Sequence, residues 1–441
     1  MSAAPGRPQQ ACTAGEAGGI PTSAAAPAQA EKPFLIVGSG TETVAPGLHI
    51  LRGQGQSFVA ETDVGLVVVD AGPGGATTQG MIEAVRRLSD APLHALCFSH
   101  GHSGYNTGLP LWQAHAAARG DAPPRVIAHR HVPRRLARYR ETAALQQRMA
   151  EIQFQRPPGF FTRRLAIHDP LETFDEVLVI GQGAQRVELR WAPSETDDAI
   201  ALWSPVQRVL YGGPALIDSI PNIGTPFRTM RDAVRWADTL DALAALGARL
   251  AVREFGPTIE GEAQVRQVLS HTASALRWLR AEVVRLMNEG LGERELLAQI
   301  RFPPALFGVP WMQPSYGDPS YIVRDIYRSE NGWWDRNATS LHPEPPEAVG
   351  RAVADAITDK RAVIGQASAL AAQGRIQLAL HVIDLLATAG GDAPEIAEAR
   401  RLKAGWLRER AAQVESYVSR NLYRVSADMI EQGQQARFSI R

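Results

Sequence analysis

The chain has 441 residues, with 46 basic and 46 acidic side chains and a formal net charge of zero. That length predicts two domains or more, each burying its own core. A balanced charge with no basic terminus argues against a nucleic-acid partner, the two cysteines, Cys12 and Cys97, form no disulfide framework and fit a reducing, cytoplasmic setting, and no apolar run is long enough to span a bilayer.

Residues 1–32 are rich in Ala, Gly, Pro, Ser and Gln and lack the basic start and apolar centre of a signal peptide, so they read as a flexible tail. From Phe34 to Val69 short β-type runs alternate with glycine turns. Residues 47–52 and 56–62 predict paired strands, and the apolar, β-branched run 65–70 predicts a buried one ending in Asp70. A turn and an amphipathic helix over 77–88 follow. The strand 93–98 then runs into His100, His102, Gly104, Tyr105 and Asn106. On an extended strand end, residues two apart point the same way. The two imidazoles can therefore reach one point in space, as metal ligation requires.

Residues 111–118 read as a helix and 125–133 as a strand ending in His129 and His131. A single basic helix is predicted over 134–149, with Arg134, Arg135, Arg138 and Arg140. Such a run reads as a solvated face, or as a rim that steers anionic substrates. Arg163 and Arg164 fall in a loop over 155–170. Strands over 177–180 and 186–191 lead to a loop holding Glu195, Asp197, Asp198 and Ala199. Next come Gly213, Pro214, Asn222 and Arg228, a helix over 230–246, a strand over 249–252, and Glu254 beside Phe255. Residues 260–303, 348–374, 377–389 and 394–420 read as helices, with an aromatic block from Trp311 to Asn337 among them.

The strand–helix–strand order, with Asp70 closing one strand and His100 and His102 after the next, resembles the metallo-β-lactamase fold. The block with Arg324, Tyr327, Gly332, Trp333, Trp334, Asp335 and Asn337 resembles the dimerisation domain of alkyl sulfatases. The resemblance covers roughly residues 33–430 and implies an α/β chain. It implies an αββα sandwich over 33–262, an α-helical dimerisation domain over 263–430 and a short tail over 431–441, assembled as a homodimer. In such hydrolases two metal ions activate the water that attacks an ester. Here the ligand motifs are degenerate. His100 and His102 stand at ligand positions, whereas Gly104, Tyr105, Ala199, Gly213 or Pro214, and Phe255 stand where relatives carry further ligands. The expectation is at most one zinc or other transition metal on His100 and His102. Glu195, Asp198, Glu254, His129 and His131 are the candidates for a third ligand; the alternative is two packed histidines without a metal.

A cleft should persist at these loops. Tyr105, Glu195 and Asp198 are the candidate catalytic residues, and Asn106, Asn222 and Arg228 the candidate substrate contacts. Asp70 and Asp197 are expected to support them from behind. One implied function is a hydrolase of sulfate or carboxylic esters with a remodelled, at most mononuclear site. The other is a catalytically silent relative that binds an amphiphilic anion or a protein partner. An anionic head suits Arg134, Arg138, Arg228 and Arg231, and an apolar tail suits Tyr105, Phe160, Phe161 and Trp311. The chain holds no phosphate-loop motif and no Gly-x-Ser-x-Gly elbow. Cys97, inside an apolar strand, is expected to pack rather than react.

Overall fold

The computed structural model describes residues 40–161 and 166–434. The tail at 1–32, Cys12 and the Arg163–Arg164 pair lie outside the described residues. Seven strands build the first sheet in chain order: β1 (Thr41–Ala45), β2 (Leu48–Gly53), β3 (Gly55–Thr62), β4 (Gly65–Val69), β5 (Leu93–Cys97), β6 (Arg125–His129) and β7 (Glu172–Phe174). The first four pair antiparallel and β4 to β7 pair parallel. The second sheet contains β8 (Val177–Ile180), β9 (Val187–Trp191), β10 (Ile200–Ser204), β11 (Val209–Tyr211), β12 (Leu250–Val252) and β13 (Ile259–Glu260), with β11 and β12 parallel.

The parallel connections are made by helices, as such crossovers require. In the first sheet these are α1 (Gly75–Leu88), α2 (Leu109–Ala118), and the pair α3 (Val132–Glu141) and α4 (Ala143–Gln153). The single helix predicted over 134–149 is thus two, broken at Thr142, where the backbone leaves helical angles (φ −103°, ψ 24°). The Thr142 hydroxyl donates instead to the Arg138 carbonyl at 2.8 Å. In the second sheet α5 (Ala233–Ala244) carries the crossover, begun by Asp232, whose carboxylate accepts from the amides of Val234 and Arg235.

The two sheets face each other over a shared core that includes Phe58, Val67, Ile127, Leu202, Tyr211 and Val252. Alternation along β4 sends Val67 and Val69 into that core, and Leu66 and Val68 outward against α1 and α2. On the outer side of the second sheet, Trp203 and Leu210 pack with Trp236 of α5 and with Leu276 and Leu279 of α6 (Glu262–Asn288). The boundary expected at 262/263 therefore falls within a packed layer.

The helical region continues through α7 (Glu293–Gln299), α8 (Pro304–Phe307), α9 (Pro319–Asn331), α10 (Pro346–Ala356), α11 (Lys360–Ala372), α12 (Ile376–Ala387), α13 (Pro394–Gln413) and α14 (Tyr417–Glu431). The predicted helices over 260–303, 348–374 and 394–420 each divide in two. α14 returns to the sandwich. The Asn421 amide donates to the Gln153 carbonyl at 2.9 Å, and the Gln153 amide to the Tyr316 hydroxyl at 2.7 Å. Among the described residues no helix is long and apolar enough to cross a membrane.

Candidate active site

The site forms where the loops after β4, β5, β9 and β12 converge. β4 ends at Asp70, which sits at φ +66°, a conformation that costs a non-glycine residue free energy and clusters at functional sites. Its Oδ1 accepts from the Ser99 amide at 2.9 Å and the Asn106 side-chain amide at 3.1 Å. Asn106 also accepts from the Ala71 amide at 2.9 Å. Asp70 thus ties the start of the histidine loop to the end of β4. Asn106 does not fit the role of a substrate contact: both ends of its amide are spent fastening this loop to β4, and it lines neither cavity described below.

The histidine loop brings His100 and His102 together. His100 Nε2 lies 2.8 Å from His102 Nδ1, while His100 Nδ1 meets the Ser99 hydroxyl at 2.8 Å. Burial pushes both imidazoles below their usual range, His102 far below it, with the neighbouring arginines adding to the effect. Both rings are therefore neutral and hold lone pairs. Glu195, from the β9–β10 loop, completes the group. Its Oε2 is 3.9 Å from His100 and 3.7 Å from His102. Its Oε1 is held by Arg231 at 2.9 Å and by Asn222 at 2.7 Å. Burial would raise the Glu195 carboxyl, but the Arg231 charge and the Asn222 hydrogen bond outweigh it and hold the group below its usual range.

One ligand atom from each of His100, His102 and Glu195 lies within 4.8 Å of the others. A four-coordinate zinc with ligands near 2.1 Å spaces neighbouring donors by about 3.4 Å. The observed 2.8, 3.7 and 3.9 Å bracket that spacing. Two neutral imidazoles and an oriented carboxylate also suit the ion chemically. The residues fit a single metal.

Of the other third-ligand candidates, none joins this group. Asp198 is wholly buried, with one oxygen bound by Arg135 at 2.6 Å and the other by the Thr196 hydroxyl. It lines neither cavity, so the structure does not present it as a catalytic group. Asp197 is half-exposed and paired with the same Arg135. His129 stacks on Trp191 (5.2 Å, 5°), and burial together with His131 pushes it down to about 4. His131 turns to Asp197. Glu254 is buried with Oε1 lacking a hydrogen-bond partner among the described residues, and its carboxyl is bonded to the Tyr105 hydroxyl. Burial first, then Glu195, push Glu254 well above the carboxylate range. Burial likewise keeps Tyr105 protonated, and its ring packs edge-on against His100 at 4.5 Å.

Two cavities meet here. An aromatic chamber of about 820 Å³ is lined by Tyr105, Phe154, Phe160, Phe161, Tyr316 and Tyr417, among others. A second chamber, of about 680 Å³, opens on the side of α3 and α5. His102, Glu195, Arg228, Tyr139 and Gln146 line both. Asn222 lines the aromatic chamber but is committed to Glu195, and its carbonyl accepts from the Thr225 hydroxyl. Trp311, expected among the aromatic contacts, instead packs on His271 (5.5 Å, 82°) beside the outer helical core. Residues missed in sequence are Tyr139, Phe154, Tyr316 and Tyr417; only their aromatic character was visible, because they come from separate helices and loops.

Residues 50–253 match the metallo-beta-lactamase superfamily, and residues 292–433 match the alkyl sulfatase dimerisation family. The chain carries a metallo-β-lactamase domain followed by an alkyl sulfatase dimerisation domain. A linear primary-alkylsulfatase of a Pseudomonas species is 27% identical over 312 residues, covering 66% of this chain and 58% of that protein. An alkyl/aryl-sulfatase of Saccharomyces cerevisiae is 28% identical over 276 residues, covering 61% of this chain and 41% of that protein. The structure of a stereoselective inverting sec-alkylsulfatase from Pseudomonas superposes with a TM-score of 0.76 at 21% identity, over 90% of this chain and 66% of that one. That likeness shows the fold. The chain spans 58% of the length of the first of these relatives and 41% of the second.

Proposed function

We propose that this protein hydrolyses an ester of an amphiphilic anion, alkyl sulfates foremost, at a remodelled site that holds at most one transition metal. The observation that carries the reading is the aromatic chamber ending on His102, Glu195 and Arg228. A long apolar tail gains free energy by leaving water among Phe154, Phe160, Phe161 and Tyr417. That placement delivers the anionic head to the Arg228 guanidinium, whose planar fork suits an oxyanion. The pairing with an alkyl sulfatase dimerisation domain and the alkylsulfatase relatives support the same substrate class.

His100, His102 and Glu195 would hold the metal, with Ser99, Asn222 and Arg231 fixing their orientation. When bound, such an ion supplies Lewis acidity at the ester. The chain's own groups do the rest. Arg228 binds the head, Tyr105 keeps a hydroxyl proton at the chamber wall, and the ring-lined chamber excludes water from the tail. The protein acts as a cytoplasmic homodimer in this reading; the dimerisation domain and the buried free thiol of Cys97 support it.

A second reading, a silent relative that binds an amphiphilic anion or a protein partner, is favoured by one observation. The 2.8 Å contact lets His100 and His102 satisfy each other without an ion. A thermal-shift and turnover screen of alkyl sulfates, alkyl phosphates and acyl esters separates the two. Turnover that disappears in His102→Ala supports the hydrolase. Stabilisation without turnover, weakened by Arg228→Ala, supports the binder. No response to any amphiphilic anion sinks both.

A further inference from the structure

Beyond His102, Glu195, Arg228 and Arg231, the wall of the second chamber has no task in that reading, yet it is distinctive. Seven arginines line it against four carboxylates, Glu195, Asp197, Asp232 and Glu330, an excess of three positive charges. Four of the arginines are paired: Arg135 with Asp197 and Asp198, Arg231 with Glu195, Arg235 with Asp232 and Arg280 with Glu330. Arg134, Arg138 and Arg228 form no close ion pair with a carboxylate among the described residues, although Arg228 lies within electrostatic reach of Glu195.

These three converge for reasons visible in the backbone. Arg134 and Arg138 are four apart on α3 and so share a helix face. The Arg138 guanidinium rests 5.6 Å over the Tyr139 ring, on the wall common to both chambers. Arg228 follows Phe227, a non-glycine residue at φ +68°, and donates to the Phe227 carbonyl at 3.3 Å. A strained residue of this kind persists only where its surroundings enforce it. Gathering uncompensated guanidinium groups around one void costs self-repulsion, which a bound anion relieves.

We propose that this chamber is a second oxyanion-binding site, taking a sulfate- or phosphate-type group on Arg134 and Arg138, separate from the ester position at His100, His102, Glu195 and Arg228. Two sources supply that chemistry. One is the inorganic anion freed when the ester is cleaved, leaving by the arginine side while the alcohol stays in the aromatic chamber. The other is a second acidic group carried by the substrate itself. The choice of source rests on the hydrolase reading; the site does not.

The test is calorimetric titration of the metal-free, full-length protein with sodium sulfate at low ionic strength. Wild type, the double variant Arg134→Gln with Arg138→Gln, and His102→Ala are compared. Loss of charged hydrogen bonds should weaken sulfate binding by about tenfold or more in the double variant, and His102→Ala should retain it. Arg134 is exposed and Arg138 half-buried, and neither is in an ion pair, so the fold should be kept. If the melting temperature nevertheless falls, the single Arg134→Gln repeats the measurement at the exposed position. A double variant that binds sulfate as wild type does overturns the proposal. So does an absence of sulfate binding in wild type, or binding lost only with His102. Titration with decyl sulfate and with decane-1,2-diyl bis-sulfate, whose second sulfate sits beside the first, then assigns the source. A preference for the bis-sulfate that vanishes in the double variant marks a second substrate group; equal binding of the two marks the released anion. Absence of turnover would count against the hydrolase alone.

Discussion

Arg135 offers a quantitative test of how the site is held. Its Nε lies 2.6 Å from Asp198 Oδ2, and the Asp198 side chain has no exposure to solvent. Its other contact, with Asp197, involves a side chain 43% exposed and contributes little, because water can replace it. Arg135→Met keeps the aliphatic stem and removes the charge. Asp198 is then a buried carboxylate with only the Thr196 hydroxyl for support. Breaking a buried pair by removing one partner costs about 3–5 kcal/mol. In a domain of roughly 200 residues, each kcal/mol lowers the melting temperature by about 2–4 °C, so a fall of about 6–20 °C is expected. Differential scanning calorimetry reads it from the first transition, since a two-domain chain need not unfold in one step. Adding Asp198→Asn removes the orphaned charge and should recover more than half the loss. A fall below about 2 °C in Arg135→Met, or no recovery in the double variant, would refute the argument. Metal affinity should fall along with stability. A Cβ on Gly101, between the two histidines, would lie 2.7 Å from Asp198 Oδ2 and 2.8 Å from Arg135 Cδ, so this ion pair is the floor of the histidine loop.

Elemental analysis after dialysis against zinc should find at most one transition-metal ion per chain, and none in His100→Ala with His102→Ala; two ions per chain would overturn the reading of the loops. Glu254 carries a sign that can be checked. Its folded pKa is raised, so above the unfolded value near 4.3 the native state binds more protons than the unfolded chain, and stability falls as pH rises. Glu254→Gln, tested without metal, should therefore gain stability over wild type increasingly as pH rises above about 4; a pH-independent difference contradicts the assignment. Light scattering at micromolar concentration should give a dimer mass, and truncation after about residue 340 a monomer or insoluble protein; a full-length monomer counts against the homodimer.

The sandwich was legible because its signals are local. An apolar β-branched run, a glycine turn and a helical period recur along residues 47–98, and each is set by neighbours a few residues away. The break at Thr142 was not legible. No glycine or proline marks it, and the threonine's bond to the Arg138 carbonyl shows only in three dimensions. The division of labour among Glu195, Asp197 and Asp198 was hidden for a related reason. Three carboxylates in four residues look equivalent in a sequence. What separates them is Arg135, about sixty residues earlier, which takes two of them, and Arg231, which turns the third toward the histidines. The same arginine-bearing α3 read first as a solvated face and only second as a rim that steers anions, because a helix period shows which residues share a face and not what that face meets.

The lost ligand positions are also more deeply altered than a list of substitutions suggests. Gly213, one of two positions where the family resemblance places a bridging carboxylate, adopts φ +52°. A Cβ there would lie 2.6 Å from the Ile200 carbonyl, inside any contact a side chain can make. An aspartate introduced at 213 would have to displace β10, the strand at the centre of the second sheet whose amide at Ile200 is bonded to the Ser99 carbonyl at 2.8 Å. Moving Ile200 therefore moves Ser99, and with it the ring of His100. At Gly104, another such position, a Cβ would meet the Gln54 amide at 3.0 Å, with the backbone at φ +98°. At Gly213 the obstacle is main chain, whereas at Gly104 it is the end of the Gln54 side chain together with the left-handed backbone. A carboxylate put at Gly213 alone should therefore not raise the metal content of the protein by elemental analysis; a second ion bound in Gly213→Asp would refute this argument.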